Sequence, residues 1–143
     1  MTKFMKSKIN QMVCLLGVTM VFIGIFSPWV KWQSWGSHPS GSVLGIETAD
    51  GWILLVFAIL ASISLFKSTS DVGIVFLRLF PSIIITLGGW LALDYFWTFA
   101  PYGVYRVLME RGIGCPLIVY GGSILLISGL WELYAWMKMR SLH

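Results

Sequence analysis

Charged side chains are scarce in this sequence. They make up 11% of the 143 residues, whereas an average soluble domain has about 25%. Apolar residues make up 57% of the chain, so a soluble fold would have too little polar surface to cover its core. The composition therefore indicates a membrane protein, and the short chain leaves room for one transmembrane domain, residues 1–143.

Residue types that usually carry chemistry are also few. The only histidines and cysteines are His38, His143, Cys14 and Cys115. No HExxH motif and no glycine-rich phosphate-binding loop is present, so we expect no catalytic residues, no cofactor and no bound metal. A metal held by His38, Glu47 and Asp50 is the alternative, although one histidine and two acids in a polar loop are typical of a hydrated segment.

The positive charges indicate an orientation rather than a nucleic-acid partner. One side of the predicted membrane carries seven of the ten basic residues: Lys3, Lys6, Lys8, Lys67, Arg78, Lys138 and Arg140. The other side carries Lys31, Arg106 and Arg111. Basic residues are enriched in cytoplasmic loops. We therefore expect a multi-pass protein of the cell (inner) membrane with both termini in the cytoplasm.

Four long apolar runs predict an all-α membrane protein, a left-handed antiparallel bundle of four transmembrane helices. The expected spans are about 9–29, 50–66, 72–97 and 113–137, and the second is the shortest. A basic head before an apolar run is also typical of a signal peptide. Here the run is long and no Ala-x-Ala site follows it, which favours an uncleaved first span.

Small residues in the first and fourth runs recur at intervals of seven. Seven residues are nearly two helical turns, so each set stays on one side of its helix. Strips of small residues allow two helix backbones to approach closely within a membrane. We predict that the first and fourth spans pack together through such strips: Gly17, Gly24, Gly114, Gly121, Gly122, Ser128 and Gly129.

The sequences of the two outer connections each predict a short element of secondary structure. Apolar residues on both sides of a Gly/Ser/Pro cluster at 36–42 suit a small β-hairpin. In the second connection, Val104, Val107 and Leu108 share one helical face, opposite Arg106 and Glu110. That spacing predicts a short interfacial helix over 102–111.

Three ionisable residues fall inside the predicted spans, where such groups are costly and are candidates for function. Arg78 and Glu132 lie at similar depth near the cytoplasmic ends of their helices. They could pair across the bundle, or each could extend separately to the head groups. Asp94 lies near the outer end of the third span. Because none is clearly at the membrane midplane, a structural role is favoured over transport.

Aromatic residues are abundant: 8 Trp, 5 Tyr and 9 Phe. Many lie near the predicted outer boundary of the membrane, where Trp and Tyr anchor to head groups. Such side chains also bury large areas at protein contacts. The candidates for an aromatic belt or docking surface are Trp29, Trp32, Trp35, Trp52, Trp97, Tyr102 and Tyr105.

Three short motifs accompany these spans: Ser27-Pro28-Trp29, Asp50-Gly51-Trp52, and the run from Gly112 to Gly122. Together with the spacing of the runs, they resemble a loose group of small four-span membrane proteins of bacteria and archaea. The layout also looks like the claudin type, although its first outer loop lacks the Gly-Leu-Trp and paired-cysteine signature of that family. The resemblance implies a topology and no activity.

The sequence thus favours an accessory or assembly subunit. Its partners would be membrane lipids together with other membrane proteins or copies of itself, and no nucleic acid. The alternatives are a small transporter or channel, with Asp94 or Glu132 facing water, and a protein that binds a lipid or quinone tail in an aromatic groove.

Overall fold

A computed structural model of the chain describes the backbone of residues 2–34, 37, 39–65, 72–98 and 109–141. Within these ranges the chain is mostly helical, as the sequence predicts. The helices are α1 (Thr2–Phe26), α2 (Ala49–Leu65), α3 (Val72–Thr98) and α4 (Gly114–Arg140). The strands are β1 (Pro28–Trp32), β2 (Gly41–Leu44) and β3 (Met109–Arg111).

The four helices form an antiparallel ring in which each one packs against two others. α1 contacts α2 and α4, and α3 contacts α2 and α4. Residues near the beginning of α1 meet residues near the end of α4, since Asn10 bonds to Ser128 and Gly24 lies against Gly114. The two ends of the ring therefore differ. We call them the terminal end, where α1 begins and α4 ends, and the sheet end.

The core of the ring is a narrow apolar stripe on each helix. On α1, the buried residues Cys14, Val18, Val21 and Ile25 recur at three- and four-residue intervals, which places them on one helical face. The opposite faces expose large apolar side chains such as Leu15 on α1. Because water solvates such faces poorly, the packing agrees with the apolar composition in indicating a membrane environment.

Within the described ranges, three helices are long and apolar enough to cross a membrane. The qualifying segments are Lys8–Phe26, Val75–Asp94 and Gly114–Lys138. The apolar part of α2, Ala49–Ser64, is shorter than these three and corresponds to the shortest of the predicted spans. Thr48 caps this helix, because its hydroxyl oxygen accepts a hydrogen bond from the Gly51 N–H at 3.0 Å.

A small three-stranded antiparallel sheet covers the sheet end, with strand order β2-β1-β3. The β1–β2 pair is the predicted hairpin, and Trp32 lies opposite Gly41 in its register. The third strand was not predicted. Met109–Arg111 was expected to be the last turn of an interfacial helix, but it pairs with β1, where its backbone groups gain ladder partners. Residues 102–108 of that predicted helix lie outside the described part of the chain.

The observed helix ends correct the predicted spans by a few residues. The first span was expected to reach residue 29, but α1 ends at Phe26 and β1 begins at Pro28. Proline has no N–H to continue a helical ladder, and the strand that follows enters the sheet instead. At the other end of the chain, α4 continues to Arg140, three residues beyond the predicted limit.

Candidate functional site

A buried arginine lies at the centre of the bundle near its terminal end. The Arg78 side chain, on α3, is only 1% exposed and forms a salt bridge with Glu132 Oε1 on α4 through Nη1. Its other nitrogens bond to α2: Nη2 donates to the Ser64 carbonyl oxygen at 2.9 Å, and Nε donates to Ser64 Oγ at 3.3 Å. A single side chain thus joins α2, α3 and α4.

The first helix completes this arrangement. Asn10 Nδ2, on α1, donates to Glu132 Oε1 at 2.8 Å, and Asn10 Oδ1 accepts from Ser128 Oγ at 2.8 Å. Every helix of the ring therefore contributes at least one member. We call Asn10, Ser64, Arg78, Ser128 and Glu132 the polar cluster.

Helix geometry explains why these five residues meet. Ser128 and Glu132 are four residues apart and so share one face of α4, opposite the first turns of α1 that carry Asn10. Ser64 is in the last turn of α2, where carbonyl groups have no partner within the helix. Arg78 supplies that partner, and its positive charge is favourable beside the negative end of the α2 dipole.

One oxygen of the cluster has no donor among the described residues. Glu132 Oε1 accepts from both Arg78 and Asn10, whereas the buried Glu132 Oε2 has no hydrogen-bond partner there. A carboxylate has about four acceptor sites on its two oxygens. The carboxylate therefore joins the helices through Oε1, while Oε2 retains acceptor sites that no described residue uses.

Among the predicted ionisable residues, the structure pairs two and separates the third. The sequence left open whether Arg78 and Glu132 pair or extend separately to the head groups, and the structure pairs them. Asp94 is exposed on the last turns of α3, near the sheet end. Sequence reasoning missed Asn10 and Ser64. The amide of Asn10 inside an apolar run was a usable signal for one of them.

The glycines separate into two faces of α4. A Cβ on Gly17 would lie 2.9 Å from the Gly121 carbonyl oxygen, and a Cβ on Gly24 would lie 2.8 Å from that of Gly114. Ser128 continues this face towards Asn10. The face formed by Gly114, Gly121 and Ser128 therefore contacts α1.

The other two predicted packing residues face α3. A Cβ on Gly122 would lie 2.9 Å from the Thr86 backbone nitrogen, and a Cβ on Gly129 would lie 2.9 Å from Leu79 Cδ2. The seven-residue spacing indicated that each set stays on one side of the helix. It did not indicate that the two sets serve different neighbours.

Trp29 is not a docking residue of the outer surface, contrary to the prediction. It is 2% exposed, and its Nε1 donates to the Gly24 carbonyl oxygen at 3.1 Å. Gly45 and Gly114 leave space for its ring, since a Cβ on either would collide with the indole. Trp29 therefore fills the sheet end of the bundle.

The remaining aromatic candidates have different surroundings. Trp52 is exposed, whereas Trp32 is half-buried and donates from Nε1 to the Pro39 carbonyl oxygen at 3.2 Å. Trp35, Tyr102, Tyr105 and the side chain of Trp97 lie outside the described part of the chain. The structure thus leaves Trp52 as the exposed indole of the predicted set.

The described residues contain no group of three or more His, Cys, Asp or Glu side chains placed to hold a metal ion. His38, of the trio considered above, lies outside them. Both Cys14 and Cys115 are buried free thiols.

The fold and the polar cluster define a class: a small helical bundle with three candidate membrane spans and a sheet covering one end. No protein-family model, curated protein or solved structure is significantly similar to this chain. Its function therefore has to be argued from its own residues.

Proposed function

We propose that the chain is a structural subunit of a membrane assembly, joined to other membrane proteins or to copies of itself. The observation that favours a structural role over transport is the polar cluster, in which Arg78 pairs with Glu132 and donates to Ser64 of α2, while Glu132 accepts from Asn10 of α1. Charged residues inside a membrane bundle either belong to a transport path or pair with groups on neighbouring helices. Here both charged side chains bond to neighbouring helices, which supports a structural role.

The closed ion pair argues against a transporter or channel. A transport site needs a charged group that can leave its partner as the cargo binds. Breaking a buried pair by removing one partner costs about 3–5 kcal/mol, and Arg78 would also have to leave the carbonyl oxygen of Ser64. The proposal therefore assigns neither transport nor catalysis to the cluster.

The proposed topology has α2 crossing the membrane together with the three longer helices. At 17 residues, α2 is about 25 Å long, which is slightly less than the roughly 30 Å of hydrocarbon. Local thinning of the bilayer can accommodate that difference. The excess of basic residues supports an orientation with the terminal end in the cytoplasm.

The proposed contact surface is the sheet end. Trp52 is 58% exposed at the start of α2, and in the described residues β2 pairs with β1 alone. A strand with one free edge can accept a strand from another chain, and an exposed tryptophan is a favoured contact anchor. Both features lie at the same end of the bundle.

The test is the mass of the intact particle after gentle extraction in a membrane-solubilising polymer. A defined assembly larger than one chain is expected, and Trp52→Ser should reduce it. Phe76→Ser is the matched control, because Phe76 is similarly exposed on α3 but lies towards the terminal end. A monomer that carries only lipid would refute the proposal, as would equal loss of assembly in both variants.

A further inference from the structure

A groove lies on the surface between α1 and α4 near the terminal end. It has a volume of about 330 Å³, and its lining residues are Ile9, Asn10, Val13, Ile127, Ser128 and Trp131. We call it the α1–α4 groove. The four apolar lining residues are all exposed. The groove therefore opens away from the bundle, towards the surface that contacts hydrocarbon if these helices cross a membrane.

The groove exists because the helices touch at glycines farther along. At Gly17 and Gly121 the two backbones are nearly in contact. Two turns nearer the terminal end, the facing residues are Asn10 and Ser128, which meet through their side chains. The space between the helices widens there.

The floor of this groove is polar although its walls are apolar. Asn10 Oδ1 accepts from Ser128, and Asn10 Nδ2 donates one hydrogen to Glu132. An amide nitrogen carries two hydrogens, and the bond to Glu132 uses one of them. A hydrocarbon chain by itself offers no acceptor, whereas the ester carbonyl of a phospholipid does.

Two basic residues lie on α1 and α4 on the terminal side of the residues that line the groove. Lys8 precedes Ile9 on α1 and is exposed at the beginning of the candidate span. Lys138 is exposed on the last turns of α4. The Cα–Cβ bonds of a helix tilt towards its N-terminus, which is at the terminal end for α1 and at the sheet end for α4.

We propose that the α1–α4 groove binds one anionic phospholipid. Its acyl chain lies against Val13 and Ile127, its ester carbonyl accepts from Asn10, and its phosphate lies near Lys8. On the orientation proposed above, this end faces the cytoplasmic leaflet, which carries the anionic lipids. The site does not depend on the assembly role, because a monomer would have the same groove.

The test is native mass spectrometry of the delipidated full-length protein, titrated with phosphatidylglycerol, phosphatidylcholine or an isoprenoid quinone. The wild type should bind one phosphatidylglycerol at least tenfold more tightly than phosphatidylcholine. Val13→Trp, which fills the groove, should lose this binding by a factor of ten or more. Val56→Trp is the matched control, because Val56 is also an exposed valine but lies on α2. It should bind as the wild type does.

Ile127→Trp, which fills the groove from the α4 side, is the second groove-filling variant. It replaces Val13→Trp in the test if Val13→Trp does not fold. Lys8→Gln should lower the preference for phosphatidylglycerol over phosphatidylcholine while binding persists. Equal binding of both phospholipids by the wild type would overturn the proposal. So would tighter binding of the quinone, or unchanged binding in both groove-filling variants.

Discussion

Arg78 of α3 donates from Nη2 to the carbonyl oxygen of Ser64, in the last turn of α2, at 2.9 Å. The same guanidinium forms the salt bridge to Glu132 on α4. The carbonyl would otherwise be unpaired at a buried helix end, and the guanidinium would be an uncompensated charge in an apolar interior. The Ser64 carbonyl and the Glu132 carboxylate therefore offset the cost of burying the guanidinium, and the guanidinium gives both of them a partner.

The costs of removing Arg78 and of removing Glu132 should therefore not add. Arg78→Met is expected to lower the free energy of unfolding by about 3–5 kcal/mol, because it leaves the Glu132 carboxylate buried and unpaired. The double variant Arg78→Met/Glu132→Met should lose less than the sum of the two single variants. Denaturant titration in detergent measures this double-mutant cycle. Simple additivity would show that the two side chains do not interact.

Asn10 should contribute to stability in a way that its neighbour Gln11 does not. Asn10→Leu removes the bonds to Glu132 and Ser128 and should cost about 1–3 kcal/mol, since it leaves buried polar groups unsatisfied. Gln11→Leu is the matched control, because Gln11 is exposed. Thermal unfolding of both variants in the same detergent gives the comparison. A larger loss for Gln11→Leu would contradict the assignment of Asn10 to the cluster.

Gly121 and Gly129 of α4 should respond differently to a single methyl group. At Gly121 a Cβ would lie 2.7 Å from the Gly17 carbonyl oxygen, which is backbone. Gly121→Ala should therefore destabilise the bundle by about 1–3 kcal/mol. At Gly129 the nearest atom is the tip of the Leu79 side chain, which can move.

Gly129→Ala should consequently be close to neutral, helped by the better helix propensity of alanine, which is worth about 1 kcal/mol. Unfolding in detergent compares the two variants. If Gly129→Ala proved the more damaging of the two, the assignment of the close backbone contact to Gly121 rather than to Gly129 would be wrong.

Trp29 should be a stability residue rather than a surface residue. Trp29→Ala empties a buried site beside Gly45 and Gly114 and should cost about 3–5 kcal/mol. Trp52→Ala removes a side chain of the same type from an exposed position and should change monomer stability by less than about 0.5 kcal/mol. Thermal unfolding of the monomeric fraction tests this pair. Equal losses would contradict the burial of Trp29.

The proposed orientation predicts which single cysteines a membrane-impermeant reagent can label from outside. In a background with Cys14 and Cys115 replaced by serine, Ser40→Cys in the β1–β2 connection should react in intact cells. Ser68→Cys in the connection before α3 should react only after the cells are opened. Labelling of Ser68→Cys from outside would reverse the topology.

Features that depend on neighbouring residues were predicted from the sequence more accurately than features that depend on distant ones. The apolar runs predicted the helices to within a few residues, and the turn-forming cluster at 36–42 predicted the β1–β2 hairpin. The strand β3 was missed because three residues carry almost no periodic signal. They become a strand through pairing with β1, a segment about 80 residues earlier in the chain.

The polar cluster shows the same difference between local and long-range features. The sequence marked Arg78 and Glu132 as costly in an apolar run, because charge and hydropathy can be assessed residue by residue. It left their pairing open and did not include Asn10 or Ser64, since a hydrogen bond between residues 122 positions apart depends on how four helices rotate and dock. Trp29 was misplaced for a similar reason, because the turn after Phe26 directs its ring inward.

The sequence by itself determined the membrane-like composition, the four apolar helices and the seven-residue spacing of small residues, all of which arise from neighbours within a few turns. Only the tertiary structure decided that Gly121 contacts α1 while Gly122 contacts α3. It also decided that Arg78 caps α2 while pairing with α4. Helix rotation and pairing are set by side-chain packing between distant segments, and that information is distributed over the whole chain rather than carried by any one stretch of it.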